Sequence, residues 1–84
     1  MKTVLITGAT SGLGLMLSRY YDSLGHNLIT VGRNQNKLNS LKKEISKKNQ
    51  KDSYALDFKS KINYEKFLQI LKKNEKKIDI IIHC

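Results

Sequence analysis

Gly8, Gly12 and Gly14 stand in the order G-x-x-x-G-x-G, between the apolar run Thr3-Val4-Leu5-Ile6 and a stretch with helical spacing. The chemistry such a turn can perform is anion binding. Glycine tolerates positive φ and lets another group come close to the backbone. The start of a helix presents N–H groups without intrahelical partners and a partial positive charge. A pyrophosphate fits there. On this reading Gly8 makes the sharp turn, Gly12 admits the ligand, and Gly14 allows tight packing of helix on strand. Thr10, Ser11 and Leu13 fill the same turn and complete the candidate phosphate-binding set. The spacing is not the general dinucleotide G-x-G-x-x-G. A glycine triplet alone also occurs in plain tight turns, so its place between strand and helix carries the weight.

A second position bears on which nucleotide is bound. Sites for NAD place Asp or Glu about 20 residues past the glycines, where it bonds the ribose 2′-hydroxyl. Counting about 20 on from Gly12 reaches Gly32, which has no carboxylate, and the next residue is Arg33. A carboxylate repels a 2′-phosphate, whereas a guanidinium binds it in a fork. NADP(H) is therefore expected ahead of NAD(H). The competing reading of Arg33 is a solvated surface arginine.

The elements that must position these residues follow from apolar periodicity. Thr3 to Ile6 reads as a strand buried on both faces. Leu13, Met16, Leu17, Tyr20, Tyr21 and Leu24 recur at helical spacing, and Gly25 is a plausible stop. Asn27 to Val31 is a second strand, ended by Gly32. Leu38, Leu41 and Ile45 mark a short amphipathic helix. Ser53 to Leu56 is a weak third strand. Ser60 is a candidate N-cap for a helix carrying Ile62, Tyr64, Phe67, Leu68 and Leu71. Ile78 to His83 is a fourth strand. The order βαβαβαβ with short connections argues for an α/β, Rossmann-like parallel sheet with helices on both faces and right-handed crossovers, the N-terminal part of a doubly wound fold. Tyr20, Tyr21, Tyr64 and Phe67 are most simply core or rim residues of the helices, and Cys84 a small buried residue.

Eighty-four residues make at most one small domain. With 39% hydrophobic and 27% charged residues the chain reads as globular, and no stretch approaches a membrane span. The lone cysteine fits a reducing, cytoplasmic compartment. Thirteen of the sixteen Lys and Arg residues lie between Lys37 and Lys77, and the formal charge is +9. Such a surface could draw nucleic acid or anionic lipid. No aromatics interleave with the lysines as a stacking platform requires, so the simpler reading is a solvated helix face, with no nucleic-acid and no membrane partner. An isoleucine-rich parallel strand at the end of the chain would be an unpaired edge. Residues 1–84 are thus expected to be part of a larger domain whose catalytic portion lies further on. By itself the chain is expected to be marginal or prone to aggregate.

Four motifs, taken in order, resemble the short-chain dehydrogenase/reductase family along the whole chain. Thr7-Gly8-Ala9-Thr10-Ser11-Gly12-Leu13-Gly14 resembles its T-G-x-x-x-G-x-G fingerprint. Gly32-Arg33-Asn34 resembles the end of the second strand in NADP-using members. Leu56-Asp57-Phe58 resembles the adenine-binding Asp after the third strand. Asp79-Ile80-Ile81-Ile82-His83-Cys84 resembles the fourth strand leading into the Asn-Asn-Ala-Gly motif. The resemblance implies a cofactor site drawn from Gly8, Thr10, Ser11, Gly12, Leu13, Gly14, Arg33, Asn34, Asp57, Phe58 and His83. Asp57 would accept from the adenine amino group and Phe58 would offer a backbone N–H; an Asx turn or cap is the competing reading of Asp57. His83 and Cys84 stand where the family usually has two asparagines, and Ser11 stands where some NADP-using members carry a basic residue. As a residue, His83 is more simply a strand end than a base or ligand, and no metal site is expected.

The family moves hydride between nicotinamide and a carbonyl or alcohol carbon, using a tyrosine with a lysine four residues later. A phenol near pKa 10 needs a neighbouring cation to ionise near neutrality. Here Tyr20, Tyr21, Tyr54 and Tyr64 are followed four residues on by Leu24, Gly25, Phe58 and Leu68, so no residue is assigned a catalytic role. The leading reading is part of an NADP-dependent oxidoreductase acting on a small carbonyl or alcohol substrate. A non-catalytic NADP-binding sensor is the alternative, and a homo-oligomeric full-length form is left open.

Overall fold

β1 (Thr3–Thr7) is the strand around which the sheet is built. The computed structural model describes all residues, Met1–Cys84. After β1 come α1 (Gly12–Ser23), β2 (Asn27–Gly32), α2 (Gln35–Glu44), β3 (Gln50–Ala55), α3 (Lys61–Asn74) and β4 (Ile80–His83). The strands form one sheet in the order β3-β2-β1-β4, and every neighbouring pair is parallel. The expected α/β alternation is therefore the observed one.

Successive side chains of β1 point to opposite faces, and both faces are covered. Val4 and Ile6 join Ala9, Leu28, Leu41 and Ile45 in one cluster, with Leu15, Leu17 and Tyr21 of α1 packed against it. Leu5 joins Ile29, Val31 and Leu56 in the other, beneath Phe67, Ile70 and Leu71 of α3. α1 and α2 thus lie on one face and α3 on the other. The chain steps from β1 outward to β2 and β3, then returns past β1 to β4. Keeping one crossover hand while the direction reverses forces α3 to the opposite face. The reversal falls between β1 and β4, and open sheets of this kind bind ligands outside the carboxyl ends of their strands near such a point.

Three boundaries and burials differ from the sequence reading. β3 begins at Gln50, earlier than Ser53, because the polar residues Gln50 to Ser53 pair with β2 along the sheet edge, where one side meets solvent. β4 begins at Ile80, two residues later than expected: Asp79 N–H already bonds Thr3 O, and the Asp79 carboxylate accepts from Thr3 N–H at 2.8 Å. α1 buries Gly14 and Ser18, while Leu13, Met16, Tyr20 and Leu24 are exposed. The helix lies so close to the β1 turn that the residues it buries fully are the small Gly14 and Ser18, while Leu15, Leu17 and Tyr21 pack against the core partly buried. Tyr64 is likewise exposed, whereas Tyr21 and Phe67 are half-buried as rim residues. Ile80 and Ile82 pack against the α1 side, and Ile81 is 54% exposed on the other. No helix is long and apolar enough to cross a membrane.

Candidate functional site

The site begins where β1 ends. Gly8 has φ +64° and Gly12 φ +53°, both in the left-handed region that side chains disfavour. Between them the chain turns from strand to helix. Ala9 N–H bonds Val31 O at 3.1 Å, which ties this turn to the end of β2. Leu56 N–H bonds Gly32 O at 2.9 Å, which ties the end of β3 to the same place. Three loops are so held at one edge of the sheet.

Gly14 makes the close packing possible. A Cβ there would lie 1.9 Å from Gly8 O, so the first turn of α1 rests directly on the glycine turn. Gly12 has open space where its Cβ would be. Ser11 is the N-cap of α1 with extended backbone, yet its hydroxyl makes no capping bond, and the first turn holds no acidic residue. The other two helices are capped: Asn34 accepts from Lys37 N–H at 3.1 Å, and Ser60 accepts from Asn63 N–H at 3.4 Å. The N–H groups at the start of α1 are therefore the ones left for an external acceptor.

A crevice of about 410 Å³ runs over these loops, lined by Gly8, Thr10, Ser11, Arg33, Asn34, Asp57 and Phe58 from the expected set. Val31, Gly32, Lys37, Leu56, Lys59 and Cys84, outside that set, line it too. Gly14 lies buried beneath the turn, and Leu13 is 63% exposed on the outer side of α1. Gly12 and His83 are not among the lining residues; the His83 Nδ1 lies 2.7 Å from Thr7 Oγ1. Cys84 is exposed, not buried as expected, because β4 ends at His83 and no element covers the residue after it. Its carbonyl oxygen lies 3.0 Å from the place a Gly8 Cβ would take.

Charge in the crevice is one-sided. Arg33, Lys37 and Lys59 face it with Asp57 as the sole carboxylate of its lining. Asp57 makes the Asx turn anticipated as its competing role, accepting from Lys59 N–H at 3.0 Å through Oδ1, while Oδ2 has no partner. Lys37 was missed because lysines are everywhere in this stretch. The usable signal was Asn34: a cap at that position puts Lys37 in the first turn of α2, at the crevice mouth.

An open parallel sheet with a glycine turn, an uncapped first helix and a crevice at the carboxyl ends of its strands is the arrangement of dinucleotide-binding α/β proteins. The short chain dehydrogenase family model matches residues 2–84, and the chain belongs to that family. It is 35% identical over 81 residues to the 3-oxoacyl-[acyl-carrier-protein] reductase FabG of Rickettsia prowazekii, covering 96% of this chain and 31% of that protein. It is 34% identical over 82 residues to the NADP-dependent 3-hydroxy acid dehydrogenase YdfG of Escherichia coli, covering 95% of this chain and 32% of that one. Among solved structures, serine dehydrogenase from Escherichia coli superimposes with a TM-score of 0.74 at 35% identity, over 94% of this chain and 36% of that one. A closed form of serine dehydrogenase complexed with NADP+ gives 0.73 at 35% identity, over 94% and 31%. The chain spans about a third of the length of the curated relatives it matches.

Proposed function

We propose that this chain supplies the adenosine- and pyrophosphate-binding part of an NADP(H)-preferring oxidoreductase acting on a small carbonyl or alcohol substrate. The observation that carries the reading is the crevice itself: three cations, an uncapped helix start, and no acid at the end of β2. The names of relatives such as the NADP-dependent dehydrogenase of Escherichia coli point the same way. The lone cysteine fits a cytoplasmic setting.

The residues present fit such a cofactor. The Gly12 backbone leaves open space that a side chain would narrow. The start of α1 receives the pyrophosphate through backbone N–H groups. Arg33 forks the 2′-phosphate, and Lys37 adds charge beside it. The free Oδ2 of Asp57 accepts from the adenine amino group. When bound, the nicotinamide supplies the hydride chemistry. This chain's residues bind and orient the adenosine end.

The test is the affinity of the full-length protein for NADPH and NADH, measured by fluorescence titration. NADPH is expected to bind tighter, and Arg33→Ala to reduce that preference about tenfold or more, the scale of a charge-assisted hydrogen bond. Tighter NADH binding, or an unchanged preference in Arg33→Ala, would sink the reading. Absence of turnover with any carbonyl or alcohol despite tight NADPH binding would favour a sensor.

A further inference from the structure

The end of the sheet opposite the nucleotide crevice holds a second hollow. It encloses about 440 Å³ and shares no lining residue with the crevice. Thr3 and Asn27 open β1 and β2, and Lys51 and Asp52 stand near the start of β3, so this is the amino end of the strands. Lys73 comes from the last turn of α3 and Lys77 from the connection to β4. Three cations thus converge on one hollow from three separate segments.

The strand pairing builds this convergence. Leu28 pairs with Gln50 and Ile29 with Asp52, so Lys51 is an extra residue in β3. Neighbouring residues of a regular strand point to opposite faces. A bulge re-aims one of them, and here Lys51 and Asp52 line the same hollow. Lys73 stands where any cation complements the C-terminal dipole of a helix. Lys51 and Lys77 have no such reason to be there.

The three charges are not balanced within the chain. Its one ion pair joins Arg19 to Glu44, elsewhere. Asp52 is the only carboxylate of the lining, and both its oxygens are engaged within β3. Its Oδ1 accepts from Ser53 N–H at 2.9 Å, and its Oδ2 from the Tyr54 hydroxyl at 2.6 Å. Thr3 Oγ1 accepts from the Asn27 amide at 3.5 Å, and its own O–H has no acceptor. A neutral donor therefore accompanies the lysines. No arginine lines the hollow, so the planar fork that suits a carboxylate is missing. Ammonium groups are point charges that meet phosphate oxygens from any side. The volume is in the range of small-molecule sites.

We propose that this hollow at the amino end of the sheet is a second anion site, for a small molecule carrying two or more phosphate groups. It does not depend on the NADP(H) reading above.

The probe is pyrophosphate, titrated calorimetrically into the full-length protein after NADPH has filled the crevice at the carboxyl ends. Exposed charge pairs are individually weak, about threefold in Kd each. The double variant Lys51→Gln, Lys77→Gln should therefore raise the Kd for pyrophosphate about tenfold and leave NADPH affinity unchanged. Asp52→Asn keeps acceptors for Tyr54 and Ser53 but removes the opposing charge, so it should tighten pyrophosphate about threefold. Lys47→Gln, Lys48→Gln is the control: it removes the same charge from exposed lysines between α2 and β3 that do not line the hollow. It should leave the pyrophosphate Kd within about twofold of wild type. No saturable binding of pyrophosphate by the wild type, or equal weakening by the two double variants, would overturn the site. So would tighter binding of mixed-sequence DNA than of pyrophosphate, reduced alike by both pairs, since the lysines would then serve a diffuse polyanion surface.

Discussion

Replacing Gly14 by alanine sets two physical rules against each other, and the structure decides the sign. Helix propensity favours alanine over glycine by about 1 kcal/mol at an interior position. Gly14 is the third residue of α1, so on propensity alone Gly14→Ala should stabilise. Its new Cβ, however, would lie 1.9 Å from Gly8 O, 2.6 Å from Gly8 C and 3.2 Å from Ala9 N. All three are backbone atoms, and Ala9 N–H is held to Val31 O at 3.1 Å, so nothing can rotate away. Reaching even a 3.0 Å contact requires α1 to withdraw by about 1.1 Å. Overpacking of this kind costs about 1–3 kcal/mol, and a collision with main chain belongs at the upper end. The Ser18 hydroxyl donates to Gly14 O at 2.8 Å within α1, so that bond moves with the helix and is kept. The net expectation is a loss of about 2 kcal/mol. The assay is urea denaturation of the full-length protein, read as a shift in midpoint at constant slope. Gly12→Ala is the internal control: its Cβ meets nothing within 4 Å, but φ is +53°. It should cost only about 1–2 kcal/mol, from the left-handed backbone. If Gly14→Ala were neutral or stabilising, or less harmful than Gly12→Ala, the close approach of α1 to the glycine turn would be refuted.

The helix caps make a second pair of predictions. Asn34→Ala should lower stability by about 1 kcal/mol, because its side chain caps Lys37 N–H. Ser11→Ala should leave stability unchanged, because the Ser11 hydroxyl caps nothing. Equal costs in urea melts would contradict the assignment of α1 as the uncapped helix. The Tyr54 hydroxyl donates to Asp52 Oδ2 at 2.6 Å, and desolvation followed by that carboxylate pushes its pKa up to about 12. The unfolded phenol ionises near 10, so between roughly pH 10 and 12 the unfolded chain has lost a proton that the folded chain keeps, and stability falls as pH rises through this window. Phenolate absorbance should show one tyrosine ionising near pH 12 that disappears in Tyr54→Phe; its persistence in the variant would refute the assignment.

Much of the architecture was legible because the strong signals were local. The run Thr3 to Ile6 is apolar on both faces, which suits the centre of a parallel sheet, and β1 lies there. The glycines give both a turn and a packing site between Gly8 and Gly14. What could not be read was decided by neighbours. Leu13, Met16 and Tyr20 share the helical spacing of a core stripe, and only the closeness of Gly14 to Gly8 shows that this stripe faces outward. Gln50 to Asp52 look like loop residues because their pairing with β2 depends on a partner 22 residues or more away in sequence. Lys37 and Lys59 are lysines among many. Nothing in composition distinguishes them from Lys42 or Lys66 until the ends of β2 and β3 are brought together at one crevice.

The three helix starts show how the fold divides stability from binding. α2 and α3 satisfy their first turns with Asn34 and Ser60, at a gain of about 1 kcal/mol each. α1 forgoes that gain and adds two left-handed glycines within one turn, each with extra backbone entropy lost on folding. A sequence optimised for stability alone would cap α1 as it caps the others, and Ser11 is already a residue type able to do so. Its extended backbone with an idle hydroxyl keeps the N–H groups of Gly12, Leu13 and Gly14 open instead. The same region gathers Arg33, Lys37 and Lys59, whose mutual repulsion is a further cost while no anion is present. On the reading proposed above, both costs are offset by one event, the binding of a multiply charged anion at the crevice. Ligand that binds only the native state stabilises it by RT ln(1 + L/Kd), with L the free ligand concentration. The local features that weaken this corner are then the ones that a phosphorylated dinucleotide would complement.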